Sequence, residues 1–303
     1  MLLLVTLGHV TLDRIKMGEQ RKTSWVPGGP AVHTSLTATS LRARPHIVSK
    51  VGTDFGQRRV RWLRQKGVDT KFLSVVTAPT TKFEITYRND RRTLRLLGTC
   101  DTLETLDPEW GIRIQCLHIA PVIGEIPETV AGWFADRSTF VSLDPQGYLR
   151  RVGRDKLVLE KWWLDRSLLR KIDILKATSD ELRLMMGASD SHAMKRLRRM
   201  GPSICVHTKG CEGLDLLIPS GFFHIPAYRP EKVVDPTGAG DVFTAAFLLD
   251  FSRSGDAIWS ACLGTAAASL KIEHMGPGSI REPSKISERA NKLLSNVRRI
   301  AES

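Results

Sequence analysis

The chain has 303 residues, 42% of them hydrophobic and 25% charged, an ordinary globular composition. No apolar run reaches the length needed to span a bilayer, and the opening LLLV run lacks the basic flank and cleavage pattern of a secretory leader. The net charge is +13, yet the basic residues are scattered without aromatic interleaving, so a solvated basic surface is expected rather than a nucleic-acid module.

In chain order, short apolar runs alternate with amphipathic stretches, the pattern of parallel strands joined by helices. Strands are expected at Leu2–Leu7, His46–Val51, Leu117–Ala120, Thr139–Leu143, Ile172–Ala177 and Ser203–Thr208. Helices are expected at Ala31–Leu41, Gln57–Lys66, Pro127–Asp136, Ser179–Met186, Asp190–Met200, Asp241–Phe251 and Ala257–Lys271. Strands apolar throughout have helices on both faces. Two regions depart from this pattern. Residues 82–97 alternate strictly, with Phe83, Ile85 and Tyr87 on one face, and turn at Asn89-Asp90; residues 12–26 are extended and mostly polar. Both have the character of a small β lid, with segments at about 12–27 and 80–98, inserted in one domain spanning 1–303. The five cysteines form no CxxC pair, which fits reduced thiols in a cytoplasmic protein.

The most telling stretch is Val233–Phe251, VVDPTGAGDVFTAAFLLDF. A loop of small residues runs into Asp241 and then into an apolar segment of helical length. Small residues let a ligand approach the backbone closely, and free N–H groups at a helix start attract anions. An apolar helix is buried, so its N-terminus is pinned in the interior. Asp241 then stands where it could take a proton from a hydroxyl attacking a bound phosphate, the arrangement of a kinase. Helix capping is the plain alternative for such an Asp.

Several motifs together resemble the ribokinase-like (PfkB) carbohydrate kinases. They are Gly8-His9-Val10-Thr11-Leu12-Asp13, Pro27-Gly28-Gly29-Pro30-Ala31, Val51-Gly52-Thr53-Asp54-Phe55-Gly56, Thr208-Lys209-Gly210-Cys211-Glu212-Gly213 and Asp235-Pro236-Thr237-Gly238-Ala239-Gly240-Asp241. The resemblance covers nearly the whole chain and implies a three-layer α/β Rossmann-like fold, a mostly parallel sheet flanked by helices with a small β lid. It also implies transfer of the γ-phosphate of ATP to an alcohol, with Asp241 as base and the amides of Gly238, Ala239 and Gly240 as anion hole. An aspartate of ordinary pKa, about 3.9, is already ionised at neutral pH.

On the acceptor side the resemblance implies Asp13, Gly28 and Gly29, with His33 and Gln146 nearby. On the nucleotide side it implies Thr208, Lys209, Gly210, Gly213, Thr237, Arg150, Gly276 and Gly278, with small residues between Cys262 and Ser269 walling the base. Magnesium is expected with ATP, held through water by Glu181. The family's Asn-x-x-Glu reads Thr178-Ser179-Asp180-Glu181 here, a departure at 178. Asp235 is a candidate for a monovalent cation, with a plain Asp-Pro turn as the alternative.

The run Asp144-Pro145-Gln146-Gly147-Tyr148-Leu149-Arg150, the opening GHVTLD and the motif at 178 are most similar to the archaeal and plant myo-inositol kinase branch. The expected acceptor is therefore myo-inositol or a similar polyol or sugar, with a nucleoside as the alternative. A bulky aromatic platform in the acceptor pocket would favour a nucleoside; Asp, Gln and His reaching hydroxyls would favour a polyol. From another class, a non-catalytic nucleic-acid-binding or regulatory protein would account for the charge, but has no need of Asp241. The one-sided hairpin leaves an edge through which two copies could pair as a homodimer.

Overall fold

The computed structural model describes residues 2–17, 24–88, 91–105, 113–277, 280 and 282–300. The chain enters through β1 (Leu3–Leu7), leaves the main sheet along β2 (Thr11–Met17) and β3 (Val26–Gly28), and returns through α1 (Pro30–Ser40), β4 (Arg44–Gly52), α2 (Gln57–Gln65) and β5 (Leu73–Val76). The hairpin β6 (Thr81–Arg88) and β7 (Arg91–Gly98) follows, then β8 (Ile114–Ile119), α3 (Glu128–Ala135), β9 (Ser138–Leu143), the short pair β10 (Arg150–Val152) and β11 (Val158–Glu160), and α4 (Arg166–Leu169). The second half runs β12 (Ile174–Thr178), α5 (Ser179–Met186), α6 (Ser191–Arg198), β13 (Ile204–Thr208), β14 (Leu214–Ile218) and β15 (Gly221–Ile225). It ends with α7 (Ala239–Ser254), α8 (Ala257–Ile272), α9 (Ser284–Leu294) and β16 (Arg298–Arg299).

Among the described residues the main sheet holds ten strands, ordered β16-β15-β14-β13-β12-β9-β8-β1-β4-β5. Pairing is parallel from β5 through β13 and antiparallel from β13 to β16. The six expected strands all appear in the parallel part to within a few residues, while its edge strand β5 was not foreseen. The antiparallel edge went unforeseen, because β14 and β15 are short runs joined by a tight turn inside what reads as loop.

Residues of the central strands feed cores on both faces of the sheet, which makes the fold three-layered. In β1, Val5 and Leu7 join α3, α5 and α6 on one side, while Leu4 joins α7, α8 and α9 on the other. Helix α7 is apolar on almost every side, and its residues from Val242 to Leu249 are all buried, as such a helix must be.

The second sheet, ordered β3-β2-β6-β7, is the expected lid. Phe83, Ile85 and Leu96 form a small core of their own with Val122; the turn at Asn89-Asp90 lies outside the described residues. The outer edge of β7, expected to be open to a second copy, carries a bridge from Arg95 to Leu157 beside β11. All five cysteines are free, with only Cys211 exposed. Among the described residues no helix is long and apolar enough to cross a membrane.

Candidate active site

Loops at the carboxyl ends of parallel strands form the ligand crevice of open α/β sheets, and the lid closes over that end here. A cavity of about 200 Å³ lies between lid and sheet, bordered by Asp13, Gly29 and His33, by Phe83, Ile85 and Tyr87 of the lid, and by Thr237–Asp241. Behind it a groove of about 620 Å³ runs past Thr208–Gly210, Gly213, Phe243, Thr265 and Ala268. Lys176, Thr178, Ala239 and Gly240 border both spaces. Cavity and groove therefore meet at the start of α7, whose tip is open to both.

Helix α7 begins at Ala239, two residues before the expected start, with Gly238 as its N-cap. Gly238 has φ +81°, and a Cβ there would fall 2.4 Å from Nδ1 of His33, so only glycine fits. His33 is packed directly beneath the loop; burial pushes its pKa down to about 4, Lys271 adds to this and Asp235 opposes it. Of the three amides expected to face an anion, that of Ala239 donates to the Pro236 carbonyl at 3.2 Å. Asp241 stands in the first turn, half-buried on the cavity wall.

Asp13 is 6% exposed and accepts a hydrogen bond from the Thr11 hydroxyl at 2.7 Å. A Cβ on Gly28 would fall 2.1 Å from its Oδ2, so the Gly28-Gly29 pair is what lets this carboxylate lie against the β3 backbone. Gln146 borders the same cavity and accepts from Arg150 at 2.9 Å.

The residues expected on the nucleotide side divide. Thr208, Lys209, Gly210 and Gly213 line the groove, as do Thr265 and Ala268. The Lys209 ammonium is ion-paired with Asp215. Arg150 and Thr237 border the lid-covered cavity instead, Arg150 donating to the Val122 carbonyl at 3.0 Å. Gly276 donates its amide to Asp235 Oδ2 at 2.9 Å; Gly278 lies outside the described residues.

Sequence reasoning missed the pair at the centre. Lys176 Nζ lies 2.6 Å from Asp144 Oδ2, both side chains nearly buried, and 3.1 Å from the point where a Gly240 side chain would begin. Burial works against the ammonium, but Asp144, with Asp241 and Glu181 beyond, outweighs it and holds the Lys176 pKa above the usual lysine value. The signal was a lone charge inside the apolar run ILKAT. Asp144 directly follows β9, where the Thr244 hydroxyl of α7 reaches both its oxygens at 3.4 Å.

Glu181 borders the cavity and closes a capping box with Thr178, taking the Thr178 amide on Oε2 at 2.8 Å. Among the described residues no three His, Cys, Asp or Glu side chains converge as a metal cage. That donor set suits a magnesium ion held mainly by phosphate oxygens and water. A monovalent cation at Asp235 does not fit, because its place is filled. Lys271 Nζ lies 3.1 Å from the Asp235 carbonyl, 3.3 Å from the His274 carbonyl and 3.5 Å from Asp235 Oδ2. Asp235 is fully buried, and its Oδ1 accepts from the Thr237 amide at 2.9 Å. Burial would raise its pKa, but Lys271 and the amides of Thr237 and Gly276 hold it below the usual range.

The sequence pattern of the pfkB family carbohydrate kinases matches residues 1–102 and 151–284. The chain is 27% identical to a cytidine kinase of Thermococcus kodakarensis over 291 residues, covering 92% of this chain and 99% of that protein. It is 29% identical to an inositol 3-kinase of Arabidopsis thaliana over 265 residues, 82% and 68% of the two chains. In fold it is similar to a pyrophosphate-dependent kinase of the ribokinase family solved with a pyrophosphate analog and myo-inositol (TM-score 0.80, 24% identity, 94% and 99% coverage). The protein belongs to the pfkB family of carbohydrate kinases, phosphotransferases with an alcohol group as acceptor.

Proposed function

We propose that the protein transfers the terminal phosphoryl group of ATP to a hydroxyl of a compact cyclic polyol, of which myo-inositol is the type. The observation that carries the reading is the meeting of a small lid-covered cavity and a longer groove at the tip of α7. The acceptor sits under the lid with its hydroxyls on Asp13, whose carboxylate can accept more than one of them, and beside Gln146. ATP lies in the groove, its base toward Thr265 and Ala268. The length of that groove favours a nucleotide over pyrophosphate as donor. Asp241 takes the proton as the acceptor oxygen attacks. The amides at Gly238 and Gly240, the helix dipole and the Lys176 ammonium stabilise charge on the transferring group. Magnesium, when bound, neutralises charge on the donor phosphates, with Glu181 reaching it through water.

The pocket offers little aromatic platform. Phe83 is only 4% exposed, packed into the lid core, and the Tyr87 hydroxyl is tied to Thr237. This supports a polyol over a nucleoside. The nucleoside reading keeps specific support in the similarity to a cytidine kinase along almost the whole chain. A panel of polyols, sugars and nucleosides, assayed with magnesium and either ATP or pyrophosphate, separates the two. Myo-inositol or a stereoisomer turning over with the highest kcat/KM is the expected result; cytidine in first place defeats it. With the true acceptor, Asp241→Asn should lower kcat about 10²–10⁴-fold, the usual loss for a general base.

A further inference from the structure

Lys271 is the one charged residue of α8 and lies in its last turn. A lysine at the end of a helix can complement the helix dipole from solvent. In the structure Lys271 is 4% exposed and turns inward, behind the loop that starts α7. Its amine meets three oxygens: the Asp235 carbonyl, the His274 carbonyl and the Asp235 carboxylate. An ammonium carries three N–H donors and no acceptor, so donors and acceptors match in number. A cage of carbonyl and carboxylate oxygens is also what a hard metal cation selects. The same carboxylate fixes the amides of Thr237 and Gly276, so the cage is built into the turn that presents Gly238 and Asp241.

We propose that Lys271 is a built-in monovalent cation: its ammonium occupies the oxygen cage at Asp235, makes phosphoryl transfer independent of potassium, and holds the anion-binding turn in its working shape. It is a positioning residue, acting through Asp235 and the 235–238 turn. Its charge also reaches the site directly, since Asp241 and His33 both lie within its electrostatic range. Without it Asp235 would be a buried, uncompensated carboxylate next to an incoming polyphosphate. The proposal rests on the phosphoryl-transfer reading of this site, but not on which acceptor is used.

The experiment compares wild type and Lys271→Ala in tetramethylammonium buffer, with potassium or ammonium chloride added at matched ionic strength. Wild-type kcat and melting temperature should not respond to potassium. Lys271→Ala should lose about 10²-fold or more in kcat, the scale of a lost charge-stabilising group. Potassium or ammonium should restore part of that loss, and the same ions should raise the variant's melting temperature by binding the vacated cage. Several-fold potassium activation of wild type, or a potassium-specific rise in its melting temperature, overturns the proposal. So does a variant that keeps the wild-type rate without potassium. If Lys271→Ala does not fold, the two wild-type titrations decide the matter alone. The melting arm uses neither donor nor acceptor, so an error in the substrate assignment leaves it intact.

Discussion

The Tyr87 hydroxyl, on lid strand β6, shares a hydrogen bond with the Thr237 hydroxyl at 3.1 Å, across 150 residues of chain. Thr237 belongs to the turn that starts α7, so this bond latches the lid to the phosphate end of the cavity.

Tyr87→Phe removes the latch and keeps the ring. Losing one such bond is expected to lower stability by only about 0.5–1.5 kcal/mol, while a lid that closes less firmly excludes water less well. The expected outcome is a several-fold higher acceptor KM and faster donor hydrolysis when acceptor is absent. Steady-state kinetics with a phosphate-release assay checks it; an unchanged KM together with an unchanged leak would show that the lid is held elsewhere.

The Lys176–Asp144 pair should behave asymmetrically. Lys176→Met strands a buried carboxylate and is expected to destabilise the protein by about 3–5 kcal/mol, besides lowering kcat about 10²–10³-fold. The double variant Lys176→Met/Asp144→Asn should recover much of the stability and none of the rate. Denaturant melts and kcat on the same preparations test this. Recovery of both together would mean that Lys176 acts only as a structural partner of Asp144.

Burial lowers the pKa of His33, His46, His118 and His207, and the first and third of these move furthest. Burial pushes His33 and His118 down to about 4, whereas an unfolded histidine titrates near 6.5. Between those values the unfolded chain binds more protons than the folded one, so stability falls as pH drops from about 6.5 to 4 and is fully present above that window. Each group contributes on the order of 3 kcal/mol to the loss by this linkage. His118→Gln should flatten the pH dependence of the melting temperature within the window; a slope equal to that of wild type would contradict the assignment.

The expected parallel strands and the helices between them appear within a few residues, because apolar runs and amphipathic spacing are local consequences of burial on two faces or one. The turn at Gly238 was legible as a run of small residues before an apolar helix, whereas the left-handed backbone and the crowding by His33 that leave only glycine there come from the fold. Pocket membership was partly legible, since Asp13 and Asp241 both follow or open apolar elements at the strand ends. The antiparallel β14–β16 edge was not, for its strands are short and their pairing is set by contacts remote in sequence.

Residue order alone therefore determined the family, the main layers, the lid hairpin and the carboxylate at the helix start. Tertiary structure alone decided which charges face which. Lys176 and Lys271 are both single basic residues in apolar elements, and nothing local distinguishes a snorkelling lysine from a buried one. Folding brings Asp144 to the first and Asp235 to the second, from 32 and 36 residues away along the chain. Only that proximity makes a buried ammonium tolerable, and with it a positive charge on either side of the loop that opens α7.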